Sequence, residues 1–382
     1  MPSGALDRLM KLRDDPYAMA RSWKERTGSK VLGFFCCYAP EEMMHAAGAL
    51  PVRITGENRD ISKSAAHLQS YCCSLARTGL DMALDGTLSF LDGTVFVHTC
   101  DTMQRLSDIW RLNAGFAVHA DIIIPVRFET DSAWAYMIAE LSSFKEKLSE
   151  FLGPIDDAAI IESIKLYNKN RALLSEVYDL RRANPEVLPY DQALWIVASS
   201  ALMEKSEHNA LVEEILADLK SGSPSPLEGE GRGEGELVPL FGIGSVMDQW
   251  DFLKMLEESG ATFIDDDFCD GRRYFDTQAR EDLPPVEAIA HRLWDRKACP
   301  CKHAPSKERA KCIVEEATAS GAKGAIFFQF KFCEPHAFDY PHVKKALDEA
   351  GIPSLNLEIE QGSVSIEQMR TRVGALVETI KS

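Results

Sequence analysis

The sequence predicts an α/β protein made of two Rossmann-like parallel-sheet domains with a helical segment between them. Short apolar runs alternate with helix-like stretches before residue 131 and again after residue 236, which is the pattern of βαβ units. Residues 131–220 instead keep helical spacing throughout. Cysteines stand just beyond several of the apolar runs, where open α/β sheets bind their ligands.

The first 30 residues read as charged helix. Val31–Phe35 is a predicted strand ending at Cys36, and Pro40–Gly48 a helix with proline in its first turn, acids at its positive end and glycine at its close. Val52–Thr55 is the next strand, His67–Leu84 a helix beginning around Cys72-Cys73, Thr94–His98 a strand, Met103–Leu112 a helix and Asp121–Val126 a strand. In the middle, Leu141-Phe144-Leu148-Phe151-Leu152 and Leu211-Ile215-Leu216-Leu219 keep helical spacing. The Ser-Gly-Pro-Glu-rich stretch 221–236 buries no apolar surface and is expected to be a flexible insert. Beyond it come strands Val238–Ile243, Thr262–Asp265, Ala325–Phe330 and Ser354–Glu358, with helices Met247–Ser259, Pro284–Trp294, Ser306–Ser320, Tyr340–Ala350 and Ser365–Ile380. The expected division is an α/β domain over 1–130, the helical segment 131–220, the insert 221–236 and a second α/β domain over 237–382.

A chain of 382 residues exceeds one small core, so more than one domain is expected. Its net charge of −17, with no basic stripe, argues against a nucleic-acid surface. No apolar run is long enough to cross a bilayer, and the start lacks the basic-then-apolar order of a signal peptide, so a cytoplasmic protein is expected. In that reducing setting the ten cysteines are not expected to form disulfides. Cys312 reads as a small buried hydrophobe in a helix, whereas the others concentrate at loop positions.

Cys100 follows one strand, Cys333 follows another and Cys73 opens a helix-like stretch. From spacing alone these are either structural cysteines or three ligands of a soft metal centre that would keep one position open. Cys299-Pro300-Cys301 looks like a metal motif but has no second pair; a tight loop near the site accounts for it as well. The Asp265–Asp267 run reads as an exposed turn rather than a cation site, and His45 as packing. No G-x-x-x-x-G-K-[ST] occurs, so ATP hydrolysis by this chain is not expected, and Phe241-Gly242-Ile243-Gly244-Ser245 reads as a plain turn.

Several blocks, in order along nearly the whole chain, resemble the 2-hydroxyacyl-CoA dehydratase family, which includes the cluster-bearing subunits of class I benzoyl-CoA reductase. They are Gly33–Glu42 with Ala46–Val52, His98-Thr99-Cys100-Asp101-Thr102, Asp265–Phe275, Phe330–Pro341 and the closing Met369-Arg370-Thr371-Arg372. The resemblance implies a [4Fe–4S] cluster held by Cys73, Cys100 and Cys333, with Cys72 the alternative to Cys73. It implies one-electron reduction of a CoA thioester to a ketyl radical, an acyl-CoA substrate, a related second subunit in a heterodimer or a homodimer, and a separate ATP-hydrolysing iron–sulfur activator. Cys37 stands where many members have serine and is expected near the open iron. Glu42, His98, Asp101 and Arg273 are candidates to line the site or take a proton; helix-dipole compensation accounts equally for Glu42, and a surface ion pair for Arg273. His303, with Lys302 and Lys307, is the candidate for the phosphates of CoA. Cys299-Pro300-Cys301 is similar to relatives that hold a larger double-cubane cluster, but Asp85–Thr94 lacks the cysteine those relatives carry there, which favours the single cubane. A double-cubane reductase of small molecules, a non-catalytic electron-relay subunit and a clusterless scaffold remain the alternatives.

Overall fold

The protein is described by a computed structural model over residues 4–56, 59–221, 237–296, 299–301, 306–360 and 365–382. Strands β1 (Val31–Phe34), β2 (Leu50–Arg53), β3 (Gly93–Val97) and β4 (Val118–Ile122) form one parallel sheet in the order β2-β1-β3-β4. Strands β5 (Val238–Gly244), β6 (Ala261–Asp267), β7 (Gly324–Phe330) and β8 (Ser354–Ile359) form a second in the order β6-β5-β7-β8, again parallel. The two orders are the same. In each, the chain steps from the first strand to one side and then crosses to the other, so the topological switch point lies between β1 and β3 and between β5 and β7. Ligands of open α/β sheets bind outside the carboxyl ends of strands at that point. β1, β3 and β7 are buried at every residue, which explains why they read as largely continuous apolar runs rather than alternating ones.

All eight expected strands are present, with shifted ends. The largest shift is β4, expected at Asp121–Val126 and found at Val118–Ile122, pairing Gly93 with Val118 and Val97 with Ile122. It is an edge strand whose burial alternates, so the half-buried His119 and Asp121 hid its period from a search for apolar runs. The helix expected from His67 starts only at Ser74, because Cys73 is an extended N-cap residue with ψ 148°. The helix expected from Tyr340 starts at Glu334: Pro335 suits a first turn, and Pro341 lies inside the helix.

Four helices, Asp131–Leu152, Asp157–Ala183, Tyr190–Ser199 and Lys205–Lys220, lie between the sheets in sequence. Thr130, Asp156 and Glu204 cap three of them, accepting hydrogen bonds from the amides of Ala133, Ala159 and Glu207. The long helix Asp157–Ala183 touches both α/β halves. Toward the first, Arg171 pairs with Glu42 in a fully buried contact. Toward the second, the Tyr178 hydroxyl donates to Asp266 at 2.8 Å and Arg181 donates to the Ile264 carbonyl at 3.0 Å.

Burial pushes Glu42 up, but Arg171 and Arg292 outweigh it and hold the carboxyl at about 2, against an ordinary 4.5. Its folded pKa lies below the unfolded one, so its stabilisation is complete above about pH 4.5 and is lost as pH falls toward 2. Glu42→Gln, which strands two buried guanidiniums, is expected to cost roughly 3–5 kcal/mol at neutral pH. In chemical denaturation at a series of pH values, the gap between variant and wild type should narrow by on the order of 3 kcal/mol across the acid range.

Candidate functional site

Both switch points open on a cavity of about 500 Å³ between the sheets, lined among others by His98, Cys100, Cys299, Cys301, Arg309 and Asp339. Cys73, Cys100 and Cys333 are the N-cap residues of helices Ser74–Asp85, Asp101–Asn113 and Glu334–Glu349. Each sulfur therefore stands at the positive end of a helix. Cys333 is set there by a turn through Phe332, the one non-glycine residue with positive φ (63°) among the described residues. Left-handed backbone in a bulky residue carries strain and marks a constrained position.

The three thiols feel one another. Burial, then Cys333 and Cys100, push the Cys73 thiol far up. Burial, then Cys100 and Cys299, push Cys333 up to about 12, against first-turn amide help from His336. Burial likewise raises Cys100. Cys72, by contrast, is raised chiefly by burial and answers to Arg77 and Glu334. Three thiols, Cys73 buried and Cys100 and Cys333 half-buried, that resist ionising together are suited to a cationic centre that takes thiolates. No three His, Cys, Asp or Glu side chains among the described residues are close enough to hold a single metal ion. A polynuclear iron–sulfur centre spreads its ligand sulfurs wider than one ion does, and three cysteines from two domains fit that donor set.

A second group of thiols lies on the same side. Hydrogen bonds from Cys269 and Cys36, with the charges of Arg296 and Arg53, pull the Cys37 thiol well down. Arg296 donates to Cys37 Sγ at 3.2 Å and to its carbonyl, while Arg273 donates to Cys299 Sγ at 3.4 Å. Cys299 is pulled down by Cys301 first, then Arg273. Arg53 reaches from β2 to the Cys269 carbonyl at 2.9 Å, crossing between the two sheets.

The expected site residues separate into groups. His98 and Asp101 line the cavity, and His98 Nε2 donates to Asp121 at 2.8 Å. Arg273 is buried, not a surface ion pair: it faces Asp267 at 3.4 Å, Cys299 and the Gly244 carbonyl. Glu42 is fully buried against Arg171 and does not line the cavity, and Cys37 is 2 % exposed and does not line it either. His303 lies outside the described residues. The Asp265–Asp267 run, expected as an exposed turn, is the buried end of β6: Arg272 meets Asp265 at 2.6 Å, and Arg309 meets Asp267. A Cβ on Gly271 would collide with the Asp266 carboxylate, which is why this turn takes glycine. His45 packs as expected, on Tyr167 and against Ser163.

Spacing did not single out Arg53, Arg296, Arg309 or Asp121. Lone arginines carry no periodic signal, whether on a strand like Arg53, in a loop like Arg296 or on a helix like Arg309, and the partners that give them meaning are distant in sequence. Cys299 and Cys301 did carry a signal, their Cys-Pro-Cys spacing.

The arrangement defines an α/β protein in which thiols from both sheets gather beside one cavity. A profile of the 2-hydroxyglutaryl-CoA dehydratase D-component family matches residues 36–380, and the chain belongs to that family. It is 28 % identical to the beta subunit of (R)-phenyllactyl-CoA dehydratase from Clostridium sporogenes, over 96 % of both chains. It is 28 % identical to the beta subunit of lactoyl-CoA dehydratase from Anaerotignum propionicum, over 98 % of both. To one of the subunits of benzoyl-CoA reductase from Thauera aromatica it is 26 % identical, over 96 % of this chain and 95 % of that one. The chain is an enzyme of the dehydratase or reductase type, the family its cysteine and acidic blocks implied. No helix among the described residues is long and apolar enough to cross a membrane.

In metal-free protein the Cys37 thiol is expected to ionise below the ordinary cysteine range, because Cys269, Cys36 and two guanidiniums favour its thiolate. Cys37→Ser should remove an early step from the ultraviolet thiolate titration, and Cys269→Ala or Arg296→Met should move that step to higher pH.

Proposed function

We propose that this chain is the iron–sulfur subunit of a 2-hydroxyacyl-CoA dehydratase or benzoyl-CoA reductase-like enzyme. The convergence of Cys73, Cys100 and Cys333 at three helix N-termini beside one cavity, drawn from both sheets, carries the reading. These cysteines would hold a [4Fe–4S] centre as thiolates. Such a centre supplies low-potential single electrons and, with three protein ligands, an open iron acting as a Lewis acid.

The chain's own residues prepare the rest. Ile123, Val126 and Phe338 stand exposed at the cavity rim and offer an apolar path to an acyl chain or the pantetheine arm of an acyl-CoA substrate. Arg309, held by Asp339 at 2.7 Å and by Asp267, brings a fixed cation to the lining. Arg273 and Arg296 hold positive charge beside Cys299 and Cys37, which favours added negative charge nearby. One-electron reduction of the thioester carbonyl is the step this environment assists. The relatives are named as subunits, which supports a second, related subunit as partner. With no phosphate-binding loop in the sequence, the energy for low-potential electrons is assigned to a separate ATP-hydrolysing activator.

A second reading, the larger double-cubane cluster, is favoured by one observation: Cys301, behind its Cys299 partner, responds to Cys100 and to Cys36. Metal content separates the two. Iron and acid-labile sulfide on anaerobically purified protein should come to about four of each per chain, and Cys100→Ala should lose them. Roughly twice that content, lowered by Cys301→Ala, would favour the larger cluster. No iron in anaerobic, reconstituted protein would overturn both.

A further inference from the structure

Beyond β4, where the chain enters helix Asp131–Leu152, it passes the last turn of helix Pro285–Trp294, and a second cavity of about 310 Å³ opens there. It shares no lining residue with the cavity beside the cysteines. Its walls are aromatic. Phe128 meets Trp294 edge to face with ring centroids 4.7 Å apart, and Trp134 meets the same indole at 5.3 Å. Trp294 is steeply inclined to both, at 71° and 88°. Trp134 also leans on the His291 ring at 4.5 Å. All four rings are half-buried, so each keeps surface open to solvent.

The local sequence sets up this arrangement. Thr130 caps helix Asp131–Leu152 through the Ala133 amide, which fixes Trp134 in the first turn or so of that helix. His291 and Trp294 are one helical turn apart and share a face of the other helix. Asp295 follows at the same end, its carboxylate 3.3 Å from His291 Nδ1. The rim is acidic: Glu129, Asp131 and Asp295 line it and are exposed. Among the described residues no lysine or arginine pairs with Asp131 or Asp295, and Glu129 meets Arg127 only loosely, at 3.9 Å. The C-terminal turn that carries Trp294 adds the negative end of a helix dipole. The start of helix Asp131–Leu152 brings the opposite end, which Asp131 in its first turn offsets.

Aromatic faces attract cations through the ring quadrupole, and tryptophan does so best. The kind of cation follows from what the walls lack. A metal ion or a bare ammonium holds its water tightly and needs oxygen ligands in exchange, which rings do not offer. A methylated ammonium presents an apolar surface around its charge, so rings can enclose it at little cost. A purine would also stack on an indole, but its phosphates would face three carboxylates. We infer that this cavity binds the trimethylammonium group of a small organic cation, with Phe128, Trp134 and Trp294 around the methyl groups and the acidic rim supplying the opposite charge. The inference does not depend on the reading of the cysteine cavity.

The test is calorimetric titration of the anaerobically purified chain at fixed ionic strength with choline, its neutral isostere 3,3-dimethylbutan-1-ol, glycine betaine and AMP. Choline should bind about one site per chain, roughly tenfold more tightly than the isostere. It should also bind several-fold more tightly than betaine, whose carboxylate meets the acidic rim. Trp134→Leu should weaken choline at least about tenfold. Asp131→Asn combined with Asp295→Asn changes only exposed side chains, so it decides the matter even where the tryptophan variant disturbs the helix contact. That double variant should weaken choline several-fold and erase its advantage over betaine, while binding of the isostere stays as in wild type. No saturable choline binding by wild type, equal binding of choline and its isostere, tighter binding of AMP, or undiminished choline affinity in the charge variant overturns the inference and leaves the proposed function standing.

Discussion

Buried guanidinium groups between the two sheets are the constraint on which the rest of the molecule depends. Arg53, Arg273 and Arg296 are all nearly inaccessible to water. A charge in such a place costs several kcal/mol unless it is met by opposite charge or by well-placed acceptors. Together the three are met by backbone carbonyls and sulfur as well as by carboxylate. Arg53 holds the Phe35 and Cys269 carbonyls, Arg296 holds the Cys37 and Arg273 carbonyls with the Cys37 sulfur, and Arg273 holds Asp267 with the Cys299 sulfur. Moving one sheet against the other would strip several of these contacts at once. These contacts tie the halves together alongside the apolar core that spans them both.

The same constraint explains the carboxylates. Three consecutive aspartates at the end of β6 would repel one another in a dry interior, yet Arg272 and Arg182 hold Asp265, and Arg273 and Arg309 hold Asp267. Asp266, between them, lacks an arginine of its own. Burial, with the neighbouring Asp265, raises it to about 6, and it is held instead by the hydroxyls of Tyr178 and Tyr190. One short run therefore contains two kinds of carboxyl, set apart by which side chains reach them.

Much of this was legible in the sequence because parallel strands buried on both faces leave continuous apolar runs, and because chemistry in such folds gathers where those runs stop. That is why seven of the eight strands and the loops bearing Cys100 and Cys333 could be placed from the residues alone, to within shifted ends. β4 was misplaced because an edge strand with His119 and Asp121 on its half-buried face reads as polar. The aspartates of β6 were misread as an exposed turn because some of the arginines that bury them lie far away in sequence, Arg182 for Asp265 and Arg309 for Asp267. Pairing across such distances has no local signature. For the same reason the Asp121–His98 contact was invisible, although each residue stands next to a strand that was foreseen.

The spread of the three N-cap cysteines along the chain has a consequence for biogenesis. Cys73 and Cys100 belong to the first sheet's connections and Cys333 to the second's, so no folded half owns the complete set. During synthesis the first sheet can form while the rest of the chain is still being made, and domains generally fold as units in that order. The iron–sulfur centre proposed above would then wait for Cys333 and for the two halves to close on each other. Its insertion would be a late event that seals the mature protein, and a chain interrupted before that residue would emerge folded in part but chemically blank.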